Sequence, residues 1–418
     1  MNVQGVVAVP GDKSISHRAL MFAALADGAS QLGGLLASAD IRSTAGALRA
    51  LGVPIGDLDG SVRIDGVGLQ GLRFSAASLD CGNSGTTTRM LSGILAGYPF
   101  SSRLVGDPSL SKRPMRRVAD PLRAMGATIE FENGDGLPMT VAGGALQGLT
   151  WRSEVASAQV KSAILLAGLV AGVPVEVHEP AASRDHTERM LRARDIDVRV
   201  EGTVITFNPR GALAALDVDV PGDPSSATFL AVLAALAKAG SLALESICVN
   251  PTRIGAFRVL ERMGAVLGYE DMREQGGESV ATVVVTPRSL HGTVIEAAEV
   301  PSLIDELPVL ACAAARAEGE TRVTGAADLR AKESDRIATV VRNLCAIGAH
   351  ATETSDGFVV QGGDHPLKGR VVTHGDHRIA MAFGVLGALD GNDIEIDDPA
   401  CAGVSYPSFW SDLDSARA

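Results

Sequence analysis

The sequence predicts a two-domain α/β protein built from six copies of one supersecondary unit. Six stretches share a polar or charged start, a run rich in Ala and Leu, and a Gly or Asp-Gly stop. They begin near Lys13, Ser84, Ser157, Ser225, Leu303 and Asp376. Recurrence at a nearly fixed spacing indicates a repeated unit. A chain of 418 residues exceeds one ordinary core, so three units in each of two domains are expected.

A second, shorter echo follows most of these runs. Its copies are Leu48–Gly52, Leu122–Gly126, Leu260–Gly264, Leu344–Gly348 and the degenerate Leu191–Asp195. A short apolar or alternating segment comes after each copy. The unit is therefore predicted to run helix, strand, helix, strand, with further strands between units, and the last unit is cut short.

The individual elements follow from their stop signals and their periodicity. The six apolar helices are predicted to stop at Asp27-Gly28, Ala96-Gly97, Ala171-Gly172, Ala239-Gly240, Glu318-Gly319 and Asp390-Gly391. Strands are predicted at Val62–Ile64, Val173–His178, Val198–Phe207, Thr282–Thr286 and Arg370–Thr373.

Two similar motifs, Pro10-Gly11-Asp12 and Pro221-Gly222-Asp223, are the expected domain junctions. If the chain crosses at both, residues 1–12 and 224–418 form one domain. Residues 13–223 then form an inserted domain.

Composition excludes several classes of protein. The net charge is −12 and the chain has no basic tract, so no nucleic-acid partner is expected. Five Cys show neither a C-x-x-C pair nor a His partner at metal-ligand spacing, which predicts reduced thiols and a cytoplasmic location. The longest apolar run, Ala227–Ala237, is too short to span a bilayer, so no membrane association is expected.

The helix starts collect residues that could bind anions. They are Lys13–Arg18, Asn83–Arg89, Ser157–Ser162, Ser225–Thr228, Ile304–Glu306 and Asp376–Arg378. Helix N-termini offer unpaired N–H groups, so several of them with Lys and Arg would suit a substrate that carries several phosphates or carboxylates. The alternative is simple helix capping, which needs only Ser, Thr, Asn or Asp and does not explain the recurring cations.

Two further clusters each allow two interpretations. Ser109–Arg117 is either a solvated basic loop before a helix that begins near Pro121, or a clamp on an anion. Lys332–Arg336 is either a solvated helix start or a cation held beside an acid/base carboxylate.

Most of these motifs, together with Pro10–Asp12 and Ser183–Glu188, resemble in their order along the chain those of the 5-enolpyruvylshikimate-3-phosphate synthase family over essentially the whole length. The matching motifs are Pro10–Arg18, Asn83–Thr86, Lys112–Pro114, Ser157–Gln159, Ser183–Glu188, Ile304–Glu306, Lys332–Arg336 and Asp376–Arg378. The resemblance implies a two-domain inside-out α/β barrel of six βαβαββ-type units, three per domain, with the active site in the interdomain cleft. It also implies a monomer that acts on small molecules without a metal or an organic cofactor.

The implied reaction transfers the enolpyruvyl group of phosphoenolpyruvate to the 5-hydroxyl of shikimate 3-phosphate through a tetrahedral intermediate. By resemblance, shikimate 3-phosphate would be held by Lys13, Ser14, Arg18, Ser157, Ala158, Gln159, Ser183, Asp305 and Lys332. Phosphoenolpyruvate would be held by Lys13, Gly85, Arg113, Gln159, Arg336 and Arg378.

The same resemblance assigns the proton transfers. Asp305, assisted by Lys13, is the expected base for the attacking hydroxyl. Glu333 is the expected group that moves the methylene proton, and Lys13 competes for that role.

Two positions depart from the family pattern. Val404 stands where many members have a Lys that meets phosphoenolpyruvate, so Arg116, Lys161 or Arg184 would have to compensate if the charge is kept. Asp328 stands where some members have Asn. Gly85 leaves room for glyphosate, so inhibition by glyphosate is expected.

Two alternatives remain open. One is the sister enzyme that transfers enolpyruvyl to UDP-N-acetylglucosamine, although Gly106–Pro114 lacks the Cys usual there. The other is a non-catalytic anion-binding protein on the same scaffold.

Overall fold

The computed structural model describes residues 1–417 and divides into two compact units. The inserted unit comprises Gly11–Val220 and Gln275–Glu278. The terminal unit comprises Met1–Pro10, Pro221–Glu274 and the described residues from Ser279 onward. The predicted boundaries, after residues 12 and 223, lie close to these divisions, but the short segment Gln275–Glu278 was not anticipated.

The helices are α1 Lys13–Leu25, α2 Ala39–Ala50, α3 Gly85–Ala96, α4 Arg116–Ala124, α5 Ala158–Ala171, α6 His186–Arg192, α7 Pro224–Ala235, α8 Gly255–Met263, α9 Leu307–Ala314, α10 Arg336–Ala346, α11 His377–Gly387 and α12 Phe409–Ser415. The strands are β1 Val6–Val7, β2 Asp27–Gly33, β3 Val62–Val67, β4 Leu79–Asp80, β5 Ser101–Val105, β6 Thr128–Phe131, β7 Met139–Ala142, β8 Leu149–Arg152, β9 Val175–His178, β10 Val198–Glu201, β11 Val204–Phe207, β12 Val218–Asp219, β13 Leu242–Cys248, β14 Val266–Gln275, β15 Glu278–Thr286, β16 Val294–Ile295, β17 Glu320–Val323, β18 His350–Glu353, β19 Phe358–Gln361, β20 Lys368–Val371 and β21 Asp393–Ile396.

Within the described residues there are six sheets, one for each sequence repeat. The second repeat runs β4, α3, β5, α4, β6, β7, and its sheet has the order β4-β5-β7-β6. The first two strands pair in parallel and the other pairs are antiparallel. The sheets β8-β9-β11-β10 and β16-β17-β19-β18 repeat this pattern. The last repeat keeps only the parallel pair β20-β21, which is the truncation that the sequence predicted.

The first strands of two repeats come from distant parts of the chain. Strand β1 pairs in parallel with β13 in the terminal unit. Strand β12 pairs in parallel with β2 in the inserted unit. Each of the two Pro-Gly-Asp motifs therefore directly follows a first strand and leads into the next helix, α1 or α7.

The short sequence echo has a backbone cause. Gly52, Gly126, Gly264 and Gly348 each follow the second helix of a repeat with φ between 92° and 113°. A left-handed residue ends a helix, and Gly adopts it without a Cβ penalty. In the degenerate copy Asp195 takes this place with φ 58°, so the same turn is kept with a residue that tolerates it.

The first helices of the repeats form the buried layer of each unit. Every residue of α7 is buried, and α7 packs with α9 and α11 in the core of the terminal unit. In the inserted unit α3 packs against α5 so closely that a Cβ at Gly93 would lie 2.2 Å from the carbonyl oxygen of Ala163. Small side chains thus allow close helix packing. No helix in residues 1–417 has the length and apolarity needed to cross a bilayer.

Three element predictions need correction. The single strand predicted at 198–207 is a hairpin, because Gly202 turns the chain with φ 62° between β10 and β11. The helix predicted to begin near Pro121 begins at Arg116, so the end of the basic cluster lies on its first turn. The fifth apolar helix begins at Leu307, and Ile304–Glu306 before it is a 3-10 turn.

Candidate functional site

The predicted site residues fall into two groups, one in each unit. Lys13, Ser14, Arg18, Gly85, Arg113, Ser157, Ala158, Gln159 and Ser183 belong to the inserted unit. Asp305, Lys332, Glu333, Arg336 and Arg378 belong to the terminal unit.

Lys13 occupies the first position of α1 and is partly exposed. Asp12 caps this helix by accepting a hydrogen bond of 2.8 Å from the backbone N–H of Ile15. The Lys13 ammonium forms an ion pair with Asp40, a buried carboxylate in the first turn of α2. Asp40 was not among the predicted site residues. It counters the charge of Lys13 and fixes the position of the ammonium.

Arg18 is buried one turn further along α1, and its guanidinium is held by three hydrogen bonds. Nε donates to Thr187 Oγ1 at 2.7 Å, Nη2 to Ser162 Oγ at 2.8 Å, and Nη1 to the Ser14 carbonyl at 2.9 Å. Burial lowers the pKa of Arg18 to about 10, although Glu188 opposes the shift. Arg18 therefore remains a cation at neutral pH.

Gly85 is the first residue of α3. Arg89, one turn later on the same helix, forms a hydrogen bond with Gln159. Arg89 Nη1 donates to Gln159 Oε1 at 2.6 Å, and Gln159 Nε2 donates to Thr86 Oγ1 at 2.9 Å. A Cβ at Gly85 would lie 2.6 Å from Arg89 Nη1. The missing side chain thus leaves space for Arg89, which the sequence reasoning quoted in its motif but did not select.

The structure separates Arg113 from the other cations of the basic cluster. Arg113 Nη2 donates to Asn83 Oδ1 at 2.7 Å, and Asn83 Nδ2 donates to Asp107 Oδ2 at 2.6 Å. Lys112, Arg116 and Arg117 are exposed. The solvated-loop interpretation fits those three residues, whereas Arg113 lies against the loop that precedes Gly85.

Two serines complete the group in the inserted unit. Ser157 caps α5, where its Oγ accepts a hydrogen bond of 3.5 Å from the Val160 N–H, and Ala158 and Gln159 follow in the first turn. Ser183 is buried, and its Oγ has no hydrogen-bond partner within residues 1–417. A buried hydroxyl without a partner is costly unless a ligand supplies one.

One suggested replacement for the family's C-terminal lysine cannot serve as a free cation. Lys161 has a side chain that is 3% exposed, and its Nζ lies 2.8 Å from carboxylate oxygens of both Glu179 and Glu188. Val404 itself is partly exposed at the end of a 3-10 turn. Lys161 therefore serves to pair two buried glutamates.

His17 connects α1 to the start of α3 through buried hydroxyls. Its Nδ1 lies 2.7 Å from Thr44 Oγ1, which lies 2.7 Å from Thr87 Oγ1. Thr87 Oγ1 donates to the α3 cap Ser84 at 2.8 Å. Burial lowers the pKa of His17 from 6.5 to about 3, so the ring is neutral at neutral pH.

This neutral ring gives a testable dependence of stability on pH. A folded-state pKa below the unfolded value stabilises the protein above pH 6.5, and the contribution is lost progressively as the pH falls toward 3. We expect His17→Asn, whose amide can still reach Thr44, to show a shallower fall in Tm between pH 7 and pH 5. His291→Asn, at an exposed histidine, is the control and should leave the wild-type slope. Equal slopes for wild type and His17→Asn would contradict the assignment.

In the terminal unit, the cations of the Lys332–Arg336 motif converge on Asp305. The Asp305 Oδ1 lies 3.2 Å from Lys332 Nζ and 3.3 Å from Arg336 Nη1. Its side chain is 15% exposed, so solvent or a ligand can reach it. The predicted base thus lies beside two cations that could hold an anionic substrate.

Arg336 is the centre of this group. Its side chain is 1% exposed, and it donates to Asp376 at 2.8 and 3.2 Å and to Glu333 at 2.5 Å. Burial alone would lower the pKa of Arg336, but Asp376 and Glu333 raise it. Burial likewise opposes ionisation of Asp376, yet Arg336 holds the pKa of that carboxyl below its usual value. The interpretation of Lys332–Arg336 as a solvated helix start is wrong for Arg336.

Asp376 organises the start of α11 and was not selected from the sequence. Its Oδ1 accepts from the Arg378 N–H at 3.0 Å, and its Oδ2 accepts from Ser334 Oγ at 2.9 Å. It therefore joins the Arg336 and Arg378 motifs. Its position as N-cap two residues before the predicted ligand Arg378 was the available signal.

Arg378 is held from the other side by the turn that carries the predicted base. Its Nη1 donates to the Asp305 carbonyl at 3.2 Å and lies 3.6 Å from Glu306 Oε1. Glu306 is buried, and neither carboxylate oxygen has a hydrogen-bond partner in the described chain. Sequence reasoning missed Glu306, although it adjoins Asp305.

Comparisons with known proteins agree over the whole chain. The family model described as EPSP synthase (3-phosphoshikimate 1-carboxyvinyltransferase) matches residues 1–413. The chain is 48% identical to the 3-phosphoshikimate 1-carboxyvinyltransferase of Chloroflexus aurantiacus, with 98% of this chain and 96% of the relative covered.

Solved structures give the same result for the fold. An EPSP synthase from Acinetobacter baumannii superposes with a TM-score of 0.88 at 43% identity, covering 100% of this chain and 96% of that one. The enolpyruvyl transferase NikO from Streptomyces tendae, at 19% identity and a TM-score of 0.77, covers 99% of this chain and 95% of its own, and shares the fold. The predicted α/β architecture of repeated units is confirmed, and the chain belongs to the EPSP synthase family.

Proposed function

We propose that the protein is a 3-phosphoshikimate 1-carboxyvinyltransferase, which transfers the enolpyruvyl group of phosphoenolpyruvate to shikimate 3-phosphate and releases phosphate. The family match and the full-length relatives support this assignment over the sugar-nucleotide transferase. The observation that carries the chemistry is the Asp305 carboxylate, held at 3.2 and 3.3 Å from two cations. A carboxylate beside anion-binding cations can take the proton of a hydroxyl that attacks an anionic partner.

Shikimate 3-phosphate is assigned to residues of both units. Its phosphate would meet the hydroxyls of Ser14, Ser157 and Ser183 beside Ala158 and Gln159, and its carboxylate would meet Arg18. Lys13, Asp305 and Lys332 complete the proposed set. The buried, unpartnered Ser183 Oγ supports this assignment, because an acceptor placed there would satisfy it.

Phosphoenolpyruvate is assigned to Lys13, Gly85, Arg113, Gln159, Arg336 and Arg378. Fixed cations of this kind stabilise charge that develops in the transition state without reorganising during the reaction. Arg336 and Arg378 suit the role because carboxylates and the Asp305 carbonyl already fix their orientation.

Two proton transfers complete the proposed mechanism. Asp305, assisted by Lys13, takes the proton of the acceptor's 5-hydroxyl as that oxygen attacks C2 of phosphoenolpyruvate. Glu333 delivers a proton to the methylene carbon to form the tetrahedral intermediate, and removes one as the C–O bond to phosphate breaks. Lys13 remains the competing donor.

We also propose a cytoplasmic monomer that binds no nucleic acid. The acidic net charge of −12 supports the last point. Size-exclusion chromatography with light scattering tests the monomer, and a mass of twice 43.0 kDa would refute it.

The function is tested by phosphate release from phosphoenolpyruvate without added metal, with either shikimate 3-phosphate or UDP-N-acetylglucosamine as acceptor. Release that depends on shikimate 3-phosphate supports the proposal. Release with only the sugar nucleotide would identify the sister activity. Release with neither, combined with binding of shikimate 3-phosphate, would identify a binding protein.

Gly85→Ala should change both the KM for phosphoenolpyruvate and the inhibition by glyphosate. The new Cβ would lie 2.6 Å from Arg89 Nη1, so the Arg89 guanidinium must shift and with it the group that donates to Gln159. Because small displacements of binding groups are costly, we expect the KM for phosphoenolpyruvate to rise by about tenfold. We expect glyphosate to inhibit the wild type and to inhibit the variant less. Gly144→Ala, where a Cβ meets nothing within 4 Å, is the matched control. Unchanged inhibition would contradict this role of Gly85.

A further inference from the structure

A buried ion cluster lies in the inserted unit and has no part in the proposed mechanism. It consists of Lys161 on α5, Glu188 on α6, and Glu179 just after β9. The Lys161 Nζ lies 2.8 Å from Glu179 Oε2 and 2.8 Å from Glu188 Oε1. The side chains are 3%, 1% and 1% exposed, respectively. Buried ions are expensive to desolvate, so this cluster needs a reason beyond stability.

The first link leads to Ser183. Lys161 Nζ donates to the Ser183 carbonyl at 3.5 Å, and the Ser183 N–H donates to Glu179 Oε2 at 3.5 Å. The ion pair therefore contacts both the donor and the acceptor of one peptide residue. The Ser183 Oγ is buried and has no hydrogen-bond partner within residues 1–417. The backbone of Ser183 is fixed while its hydroxyl remains available.

The second link leads to Arg18. One ammonium between two carboxylates leaves a net negative charge, and Glu188 is the carboxylate that most strongly favours the charged form of Arg18. Ser162 and Thr187, the chain neighbours of Lys161 and Glu188, accept hydrogen bonds from the Arg18 guanidinium at 2.8 and 2.7 Å.

We propose that Lys161, Glu179 and Glu188 are positioning residues for the acceptor: the Lys161–Glu179 pair presents the Ser183 hydroxyl, and Glu188, anchored by Lys161, places its neighbour Thr187 against Arg18. The inference rests on the proposed function, because Ser183 and Arg18 are assigned there to shikimate 3-phosphate. Affinity for the acceptor depends on this cluster, whereas phosphoenolpyruvate is held by other residues.

Glu179→Gln and Glu188→Gln test the proposal, since each keeps the shape of the side chain and leaves Lys161 with one carboxylate. Shikimate 3-phosphate is titrated by calorimetry without phosphoenolpyruvate, and steady-state kinetics follow. We expect Glu179→Gln to raise the Kd and KM for shikimate 3-phosphate by about tenfold. We expect kcat and the KM for phosphoenolpyruvate to stay within about twofold. Glu132→Gln, at an exposed glutamate paired with Arg103, is the control and should match the wild type.

A double-mutant cycle distinguishes positioning from general loosening. If Glu179 acts through the Ser183 hydroxyl, Glu179→Gln adds no weakening in a Ser183→Ala background. Glu188→Gln should likewise add none in an Arg18→Lys background. Equal weakening with and without Ser183 would overturn the proposal, and so would an unchanged Kd for Glu179→Gln. If both Gln variants fail to fold, the cluster serves folding and the proposal is also overturned. A wild type that does not bind shikimate 3-phosphate would instead refute the proposed function.

Discussion

Asp305→Asn is expected to lower kcat by about 10³-fold with only a small change in the KM for either substrate. General-base catalysis typically contributes 10²–10⁴-fold, and an amide of the same shape cannot take the proton. The Asn oxygen can still accept hydrogen bonds from Lys332 and Arg336, which lie at 3.2 and 3.3 Å from the carboxylate. Single-turnover kinetics with both substrates measure the chemical step directly.

Binding must be measured alongside, because a misfolded variant would also be inactive. Asp305→Asn should retain the wild-type Kd for shikimate 3-phosphate within about threefold, which marks a lost chemical step rather than a lost site. Asp364→Asn, at an exposed aspartate in the same unit, should keep full activity. Normal turnover by Asp305→Asn would show that another group takes the proton.

Arg336→Met is expected to cost about 3–5 kcal/mol of unfolding free energy, because it leaves buried carboxylates without their cation. Asp376 is fully buried, Asp305 and Glu333 are partly buried, and all three contact the guanidinium. Denaturant unfolding monitored by circular dichroism measures the loss. Arg330→Met is the matched control, since Arg330 also contacts two carboxylates but is 28% exposed. A partly exposed pair should cost less than about 1 kcal/mol.

Arg336→Met should also change how the unfolding free energy depends on pH. In the wild type, Arg336 holds the pKa of Asp376 below 3.8. In the variant, burial without a cation makes Asp376 take up a proton at a higher pH. The difference in unfolding free energy between the wild type and Arg336→Met should therefore become smaller as the pH falls from 7 to 5. A gap that stays constant would show that packing, not charge, is what Arg336 supplies.

The repeats were predictable because each copy carries its own helix signals in adjacent residues. Apolar runs and the Gly that follows four of the second helices are local features, and Gly126 with φ 112° shows the cause. The long-range pairing of first strands could be predicted only in part. The pairing of Val6 with Ala243, for example, joins residues that no local pattern relates.

Residues of the candidate site could be named from the sequence where a charged residue stands at a helix start, as Lys13 and Arg378 do. The residues behind them could not, because their roles depend on tertiary contacts. Asp40 lies outside the motifs named from the sequence and Glu306 is the last residue of one of them, and the role of each follows only from the cation it contacts. The sequence allowed Lys161 as a cation that compensates for Val404, and only the structure shows that it is buried between two glutamates.

Because β1 pairs with β13, which lies more than 200 residues later in the sequence, this pairing can form only late during synthesis on the ribosome. Val6–Val7 is synthesised before the whole stretch Gly11–Val220, and its partner at Ala243–Leu244 emerges only after that stretch. At about 5–20 residues per second, β1 waits on the order of ten seconds or more for β13. Meanwhile the inserted unit has nearly all of its chain and can fold first. An unpaired strand is a template for aggregation, and the two-residue length of β1 makes it a poor one during that interval.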